Sequence, residues 1–251
     1  MSEPSEAMRV LALLDDSRQS QAALAAAVAL ADEASAELVA LFIEDLDLLR
    51  CAAFPFSCEV GASTGLTRPL QSEELEASLT RQLQRITRAL EQAVAGRELR
   101  HRLQVSRGQV VSEALAEAGP EDVLVLGKAG LSSRWGWSSR LGSTSRRLVL
   151  EAPCTVIIWD ERHPPAPGPL RYFRGEPPRL PWGESLAEAV HRHPLFLGRE
   201  ELALMDAPTL ERFLARARSG ALVVNRGTLT RLFEDDPEVL ARIPIPVIVV
   251  P

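Results

Sequence analysis

The 251-residue chain is poor in lysine, cysteine and tyrosine, with one lysine (Lys128), three cysteines and one tyrosine. Acidic residues outnumber basic residues by 34 to 28, which gives a net charge of -6. Binding to nucleic acid or to an acidic membrane surface needs a basic face, so this balance argues against both partners. An odd number of cysteines in a long chain does not indicate a disulfide framework.

The sequence also lacks a long apolar run. None approaches the roughly 20 residues that a membrane-spanning helix needs, and the first residues, MSEPSEAM, are acidic and polar, unlike a signal peptide. We therefore expect a cytoplasmic protein. The length allows one large domain or two smaller ones.

Apolar runs alternate with helical patterns through the first 160 residues. The predicted strands are 8–14, 37–43, 99–105, 123–126 and 155–159, and the predicted helices are 18–34, 72–95, 109–118 and a short one from 143. This alternation predicts an α/β fold with a doubly wound parallel sheet. Polar residues alternate along 99–105, which is typical of an edge strand. Residues 44–69 are predicted to be an irregular excursion over the carboxyl ends of the strands.

A glycine loop follows the fourth predicted strand. The strand runs into Gly127, Lys128 and Gly130, and Gly142 precedes a helix that starts at Ser143. A strand, a glycine loop and a helix start offer backbone N–H groups to a phosphate. The alternative is turn chemistry alone, since glycine is also needed where a strand turns sharply into a helix.

These residues resemble the universal stress protein family. Its nucleotide-binding members carry Gly-x-x-Gly, nine residues, then Gly-Ser/Thr; here eleven residues, 131–141, separate the last two glycines. The family opens with a strand followed by Val-Asp-Gly-Ser. In this chain the equivalent is Leu14-Asp15-Asp16-Ser17, in which Asp16 replaces the glycine.

The resemblance implies a five-stranded parallel sheet in the order 3-2-1-4-5, with Asp15 and Gly127 at one crevice. It implies a stress-response regulator that binds ATP, AMP or ADP, with or without Mg²⁺, and at most hydrolyses it slowly. Asp15 is expected beside the sugar or the metal ion. The candidate binding residues are Asp15, Gly127, Lys128, Gly130, Gly142, Ser143 and Thr144.

Three segments are predicted: a family-like domain over 1–160, a proline-rich linker over 161–181, and a smaller, degenerate repeat over 182–251. In the repeat, 221–228 parallels 123–130 and 243–250 parallels 152–159, whereas most of the opening βαβ unit is expected to be lost. Tyr172 and Phe173 either pin the linker to a surface or add a short strand. Because family dimers pair their fifth strands, we expect 155–159 to meet 247–250 in an intramolecular pseudo-dimer, with a further homodimer possible.

Two other functions stay open: a dimerisation or partner-docking module without nucleotide, and an enzyme that slowly hydrolyses ATP or transfers a nucleotidyl group. The sequence has no nucleophile elbow, no Walker loop and no paired catalytic carboxylates. Cys51, Cys58, His191 and His193 fit no compact metal motif. Trp135 and Trp137 either cover the crevice or pack on the rest of the chain, and packing is favoured.

Overall fold

A computed structural model describes residues 8–61, 64–128, 141–159, 167–175 and 196–251. Gly130, both tryptophans of the loop and both histidines named above lie outside these ranges. The main strands are β1 (Arg9–Leu14), β2 (Glu37–Asp45), β5 (His101–Gly108), β6 (Val123–Gly127), β7 (Thr155–Trp159), β8 (Gly168–Phe173), β9 (Phe196–Leu202), β10 (Ala221–Asn225) and β11 (Val247–Val250). A separate antiparallel pair comprises β3 (Cys58–Val60) and β4 (Thr67–Pro69).

The described helices are α1 (Arg18–Ala34), α2 (Leu46–Ala52), α3 (Ser72–Val94), α4 (Val110–Glu117), α5 (Ser143–Glu151), α6 (Ala207–Leu214), α7 (Arg226–Asp235) and α8 (Val239–Arg242). None of them is long and apolar enough to cross a membrane. The short helix α2 lies in the excursion that was expected to be irregular. Asp45 caps it by accepting the N–H of Asp47 at 2.9 Å.

The nine main strands form one sheet in the order β5-β2-β1-β6-β7-β11-β10-β8-β9. The first five follow the predicted 3-2-1-4-5 order, and β5 is an edge strand as predicted. The expected count of five strands is not confirmed, because four further strands extend the same sheet to nine. Every described pairing in it is parallel except that of β7 with β11.

The inner parallel strands β1, β2, β6 and β10 are buried on both faces, as their continuous apolar runs predict. In β6, Leu124 and Leu126 belong to the core on one face of the sheet, whereas Val123 and Val125 belong to the core on the other. Both cores contain side chains from before and after residue 160. The two parts of the chain therefore share their hydrophobic interior.

The strands on either side of the proline-rich stretch meet as expected. β7 pairs antiparallel with β11, and Ile157 lies opposite Ile248. The open alternative for Tyr172 and Phe173 is also settled, because both belong to β8, an internal strand between β10 and β9. β8 and β9 are parallel neighbours, so two strands stand where the opening unit was expected to be mostly lost.

Candidate functional site

A cavity of about 320 Å³ lies at the carboxyl ends of β1 and β6. These strands pair in parallel, with Val10 opposite Val123, so their carboxyl ends reach the same edge of the sheet. The strand order reverses here, which is where ligands bind in open α/β sheets. The lining residues are Leu13, Leu14, Asp15, Ser20, Phe42, Ile43, Asp45, Leu48, Leu75, Leu79, Gln82, Val110, Leu126, Gly127, Gly142, Ser143, Thr144 and Ser145.

Asp15 is positioned by the turn between β1 and α1. Its carboxylate Oδ1 accepts the N–H of Ser17 at 2.9 Å. Ser17 is the cap of α1, since its hydroxyl accepts the N–H of Ser20 at 3.1 Å. Ser17 is thus the helix cap, and the half-buried Asp15 lines the cavity.

Asp16, which stands where the family has glycine, turns towards α3. Its carboxylate accepts from Arg85 Nε at 2.8 Å and lies 2.7 Å from a second guanidinium nitrogen. The ion pair ties the β1–α1 turn to α3, which lines another wall of the cavity. Arg85 is half exposed, so this surface ion pair contributes little to the stability of the fold.

The N-terminus of α5 forms one wall of the cavity. Gly142 is the N-cap, with extended backbone angles (φ -58, ψ 144) and no side chain to occupy the helix end. The N–H groups of Ser143, Thr144 and Ser145 point out of the first turn, where a helix leaves its amides without intrahelical acceptors. This helix end therefore offers amide donors and a partial positive charge to an anion.

Gly127 is needed for a close approach between β6 and α1. A Cβ atom placed on Gly127 would lie 2.8 Å from Cβ of Gln19 and 3.0 Å from its carbonyl carbon. The Ser145 hydroxyl donates to the Gly127 carbonyl at 2.9 Å and joins α5 to the end of β6. Glycine at position 127 thus has a packing cause in addition to any role in binding.

Lys128 is placed differently from the other candidates. Its side chain is buried and its ammonium donates to the carbonyl of Ile243, near the C-terminus. Its backbone N–H donates to Trp159 at 3.0 Å, and its carbonyl accepts from the N–H of Gly142 at 2.9 Å. Lys128 does not line the cavity, and the amides of Lys128 and Gly142 already have acceptors. Among the described candidate residues, those at the start of α5 therefore supply the cavity's amide donors.

Sequence reasoning missed Asp45 and the wall formed by α2 and α3. Asp45 ends β2 as Asp15 follows β1, and both are aspartates at the carboxyl end of a buried strand. That shared position, together with the cap of α2, is the signal that would have found Asp45. Leu48, Leu75 and Leu79 give the cavity a long apolar side.

The cavity lining combines three kinds of chemistry. It includes the helix start and small hydroxyl residues of α5, apolar side chains such as Leu48, Leu75 and Leu79, and the acidic residues at the carboxyl ends of β1 and β2, Asp15 and Asp45. No lysine, arginine or histidine is among the described lining residues. Five of the seven candidate residues meet here: Asp15, Gly127, Gly142, Ser143 and Thr144; Lys128 turns away, and Gly130 lies outside the described residues.

Comparison with known proteins gives the family. The model of the universal stress protein family matches residues 6–159, more than half of the chain. The chain belongs to the universal stress protein family. A search of curated proteins found no match.

Solved universal stress proteins resemble the structure. A universal stress protein from Archaeoglobus fulgidus DSM 4304 is 13% identical, with a TM-score of 0.56 over 96% of this chain and 95% of that one. Universal stress protein UspA from Lactobacillus plantarum is 24% identical, with a TM-score of 0.44 over 62% of this chain and 99% of that one. The first similarity extends the shared fold beyond the matched domain, to nearly the full chain.

Proposed function

We propose that this universal stress protein binds ATP, or AMP or ADP, in the cavity between β1 and β6 and acts as a cytoplasmic stress-response regulator. The observation that carries the proposal is the convergence of Asp15, Gly127 and the Gly142–Thr144 helix start on one cavity. These residues come from two distant parts of the sequence. They meet at the edge of the sheet where such folds bind ligands.

The residues present fit an adenine nucleotide. Phosphates suit the start of α5, where amides and the hydroxyls of Ser143 and Thr144 are donors. The apolar walls suit a planar base, and pockets for small molecules are generally of this size or larger. Asp15, which lines the cavity, would bind a ribose hydroxyl or Mg²⁺. We propose a regulatory role for the bound nucleotide, with at most slow hydrolysis.

Two measurements test nucleotide binding. Mass spectrometry of small molecules released from the purified, denatured protein is expected to recover an adenine nucleotide. Thermal melts with ATP are expected to rise, since ligand at 100 times its dissociation constant adds about 2.7 kcal/mol to the free energy of unfolding. The proposal would be refuted if the purified protein releases no nucleotide and its melting temperature does not change with ATP, ADP or AMP.

The same proposal treats the C-terminal part as a reduced second copy that forms an intramolecular pseudo-dimer with the first. Supporting it, the strand order β9-β8-β10-β11 follows the order β2-β1-β6-β7, and the two sets meet antiparallel at β7 and β11. The described residues contain no counterpart of β5 in the second set. Residues 225–228, Asn-Arg-Gly-Thr, stand in place of the first glycine loop and no Gly-Ser follows them, so we expect one nucleotide per chain.

A specific observation favours the docking alternative as second candidate. Phe54, Phe56 and Leu66, in the excursion that supplies Leu48 to the cavity, are 65%, 92% and 70% exposed. Large apolar side chains with this much exposure are typical of contact surfaces. A protein that carries no nucleotide but self-associates, and that becomes monomeric when Phe56 is changed to Ser, would support docking or homodimerisation in place of nucleotide binding.

A further inference from the structure

The glycine loop of the proposed site is anchored at both ends by the last turn of the chain before β11. At its start, the ammonium of Lys128 donates to the carbonyl of Ile243. At its end, the N–H of Leu141 donates to Oε2 of Glu238 at 3.0 Å. The two ends are joined by the Gly142 N–H to Lys128 carbonyl bond. Residues 238 and 243 flank α8, so one short segment holds both ends of the loop.

The helix that follows the loop is held by the same part of the chain. Arg226 donates through Nε to the carbonyl of Val149 at 3.0 Å and through Nη2 to that of Cys154 at 2.9 Å. Arg146 lies over the ring of Phe233, 5.4 Å from its centre. A cation near carbonyls at a helix C-terminus is favourable. α5 is therefore fixed at its start, along its side and at its end by residues beyond 220.

We propose that Glu238 is a positioning residue for the phosphate-binding end of the site, so that the C-terminal part controls nucleotide affinity; this inference rests on the proposed function. Glu238 does not line the cavity. It accepts the amide immediately before the Gly142 cap, and so fixes where the amides of Ser143 and Thr144 point. A hydrogen bond to a charged group is stronger than a neutral one. A donor that is already held in the binding orientation loses less conformational entropy when the ligand binds.

The proposal implies that nucleotide binding and the Glu238–Leu141 hydrogen bond are coupled, which a purely structural contact would not be. Nucleotide bound at the start of α5 stabilises the same orientation of Leu141 that Glu238 stabilises, so each favours the other by the same factor. The degenerate C-terminal part would then adjust the affinity of a site in the first part without contacting the ligand.

The test compares Glu238→Ala with Glu238→Gln, whose amide oxygen still accepts the Leu141 N–H, and with Glu200→Ala. Glu200 is a matched control, because its carboxylate pairs with Arg171 at 2.8 Å in the same part of the chain, between β9 and β8 and away from α5. Titration with ATP is expected to show affinity about tenfold weaker in Glu238→Ala, or about 1.4 kcal/mol. Glu238→Gln is expected to restore most of it, and Glu200→Ala to leave it unchanged.

A second readout needs no nucleotide. Hydrogen exchange in the free protein is expected to be faster at residues 141–146 in Glu238→Ala, and unchanged there in the other two variants. Unchanged exchange in Glu238→Ala would overturn the inference whether or not the protein binds ATP. Faster exchange with a wild-type protein that binds no nucleotide would instead refute only the proposed function. If Glu238→Ala binds ATP with wild-type affinity, Glu238 does not influence nucleotide affinity and that part of the inference is refuted.

Discussion

Replacing Gly142 by Asp tests whether phosphate lies at the start of α5. The backbone at Gly142 has φ -58 and ψ 144, angles that any residue adopts, so the substitution is not strained there. Asp is a favoured helix cap, and its charge complements the helix dipole. The free protein should therefore stay folded, with a melting temperature no lower than that of the wild type.

The expected loss of binding follows from the position of the new charge. A carboxylate on the N-cap stands beside the amides that would face phosphate. Two like charges about 4 Å apart at an effective dielectric constant of about 20 repel by about 4 kcal/mol, which weakens binding by about a thousandfold. ATP at 100 times the wild-type dissociation constant would then add only about 0.1 kcal/mol, in place of about 2.7 kcal/mol.

Thermal melts measure the difference. For a chain of this size each kcal/mol shifts the melting temperature by about 2–4 °C, so the wild type should gain about 5–11 °C and Gly142→Asp almost nothing. Gly142→Asn is the matched control, since Asn has the same size, caps a helix equally well and is neutral; it should keep most of the shift. An undiminished shift in Gly142→Asp would refute binding at this helix end, and loss in both variants would indicate exclusion by bulk.

Three further outcomes are expected. Gly127→Ala should lower the free energy of unfolding by about 1–3 kcal/mol, because its Cβ would lie 2.8 Å from Gln19 Cβ; an unchanged denaturation midpoint would contradict the close packing. Truncation after Asp160 should give dimers or aggregates in light scattering, because it bares β7; a monomer with an unchanged melting temperature would disprove that β11 protects this edge. Burial, and secondarily the charge of Asp122, raises the pKa of the Cys154 thiol to about 11. At pH 8 only about one in a thousand such thiols is ionised, so iodoacetamide should modify the two exposed cysteines and spare Cys154 until the protein is denatured, whereas a third adduct on the native protein would contradict this.

The meeting of Asp15 and Gly127 was predictable from sequence because each residue ends a buried strand, and the family resemblance supplied the strand order. The place of Lys128 was not predictable in the same way. Its sequence neighbours are loop residues, yet its side chain reaches a carbonyl 115 residues away. Local patterns specify where a strand ends; they do not specify which distant backbone group a buried cation will find.

The strand β8 shows a second limit of prediction from local sequence patterns. Prolines surround it, and proline density predicts an extended linker. Pro169 is nevertheless accommodated, because the ladder between β8 and β9 shifts register between Gly168 and Leu170. Proline lacks an N–H to donate and is tolerated at such irregularities. The apolar residues that follow, Leu170 and Phe173, are buried in the sheet and outweigh the local signal.

Pairing β7 with β11 changes which strands form the edges of the sheet. Both are short apolar runs, and either would be an aggregation-prone edge if left open. Once they meet, the edges are β5 and β9. β5 carries Arg102 and Arg107, which pair with Glu37 and Glu44 of β2, and β9 carries several charged residues. Charged edge strands resist pairing with other chains. By covering β7 with β11, the C-terminal part leaves only charged strands at the edges of the sheet. It can protect the protein from aggregation in this way without a ligand site of its own.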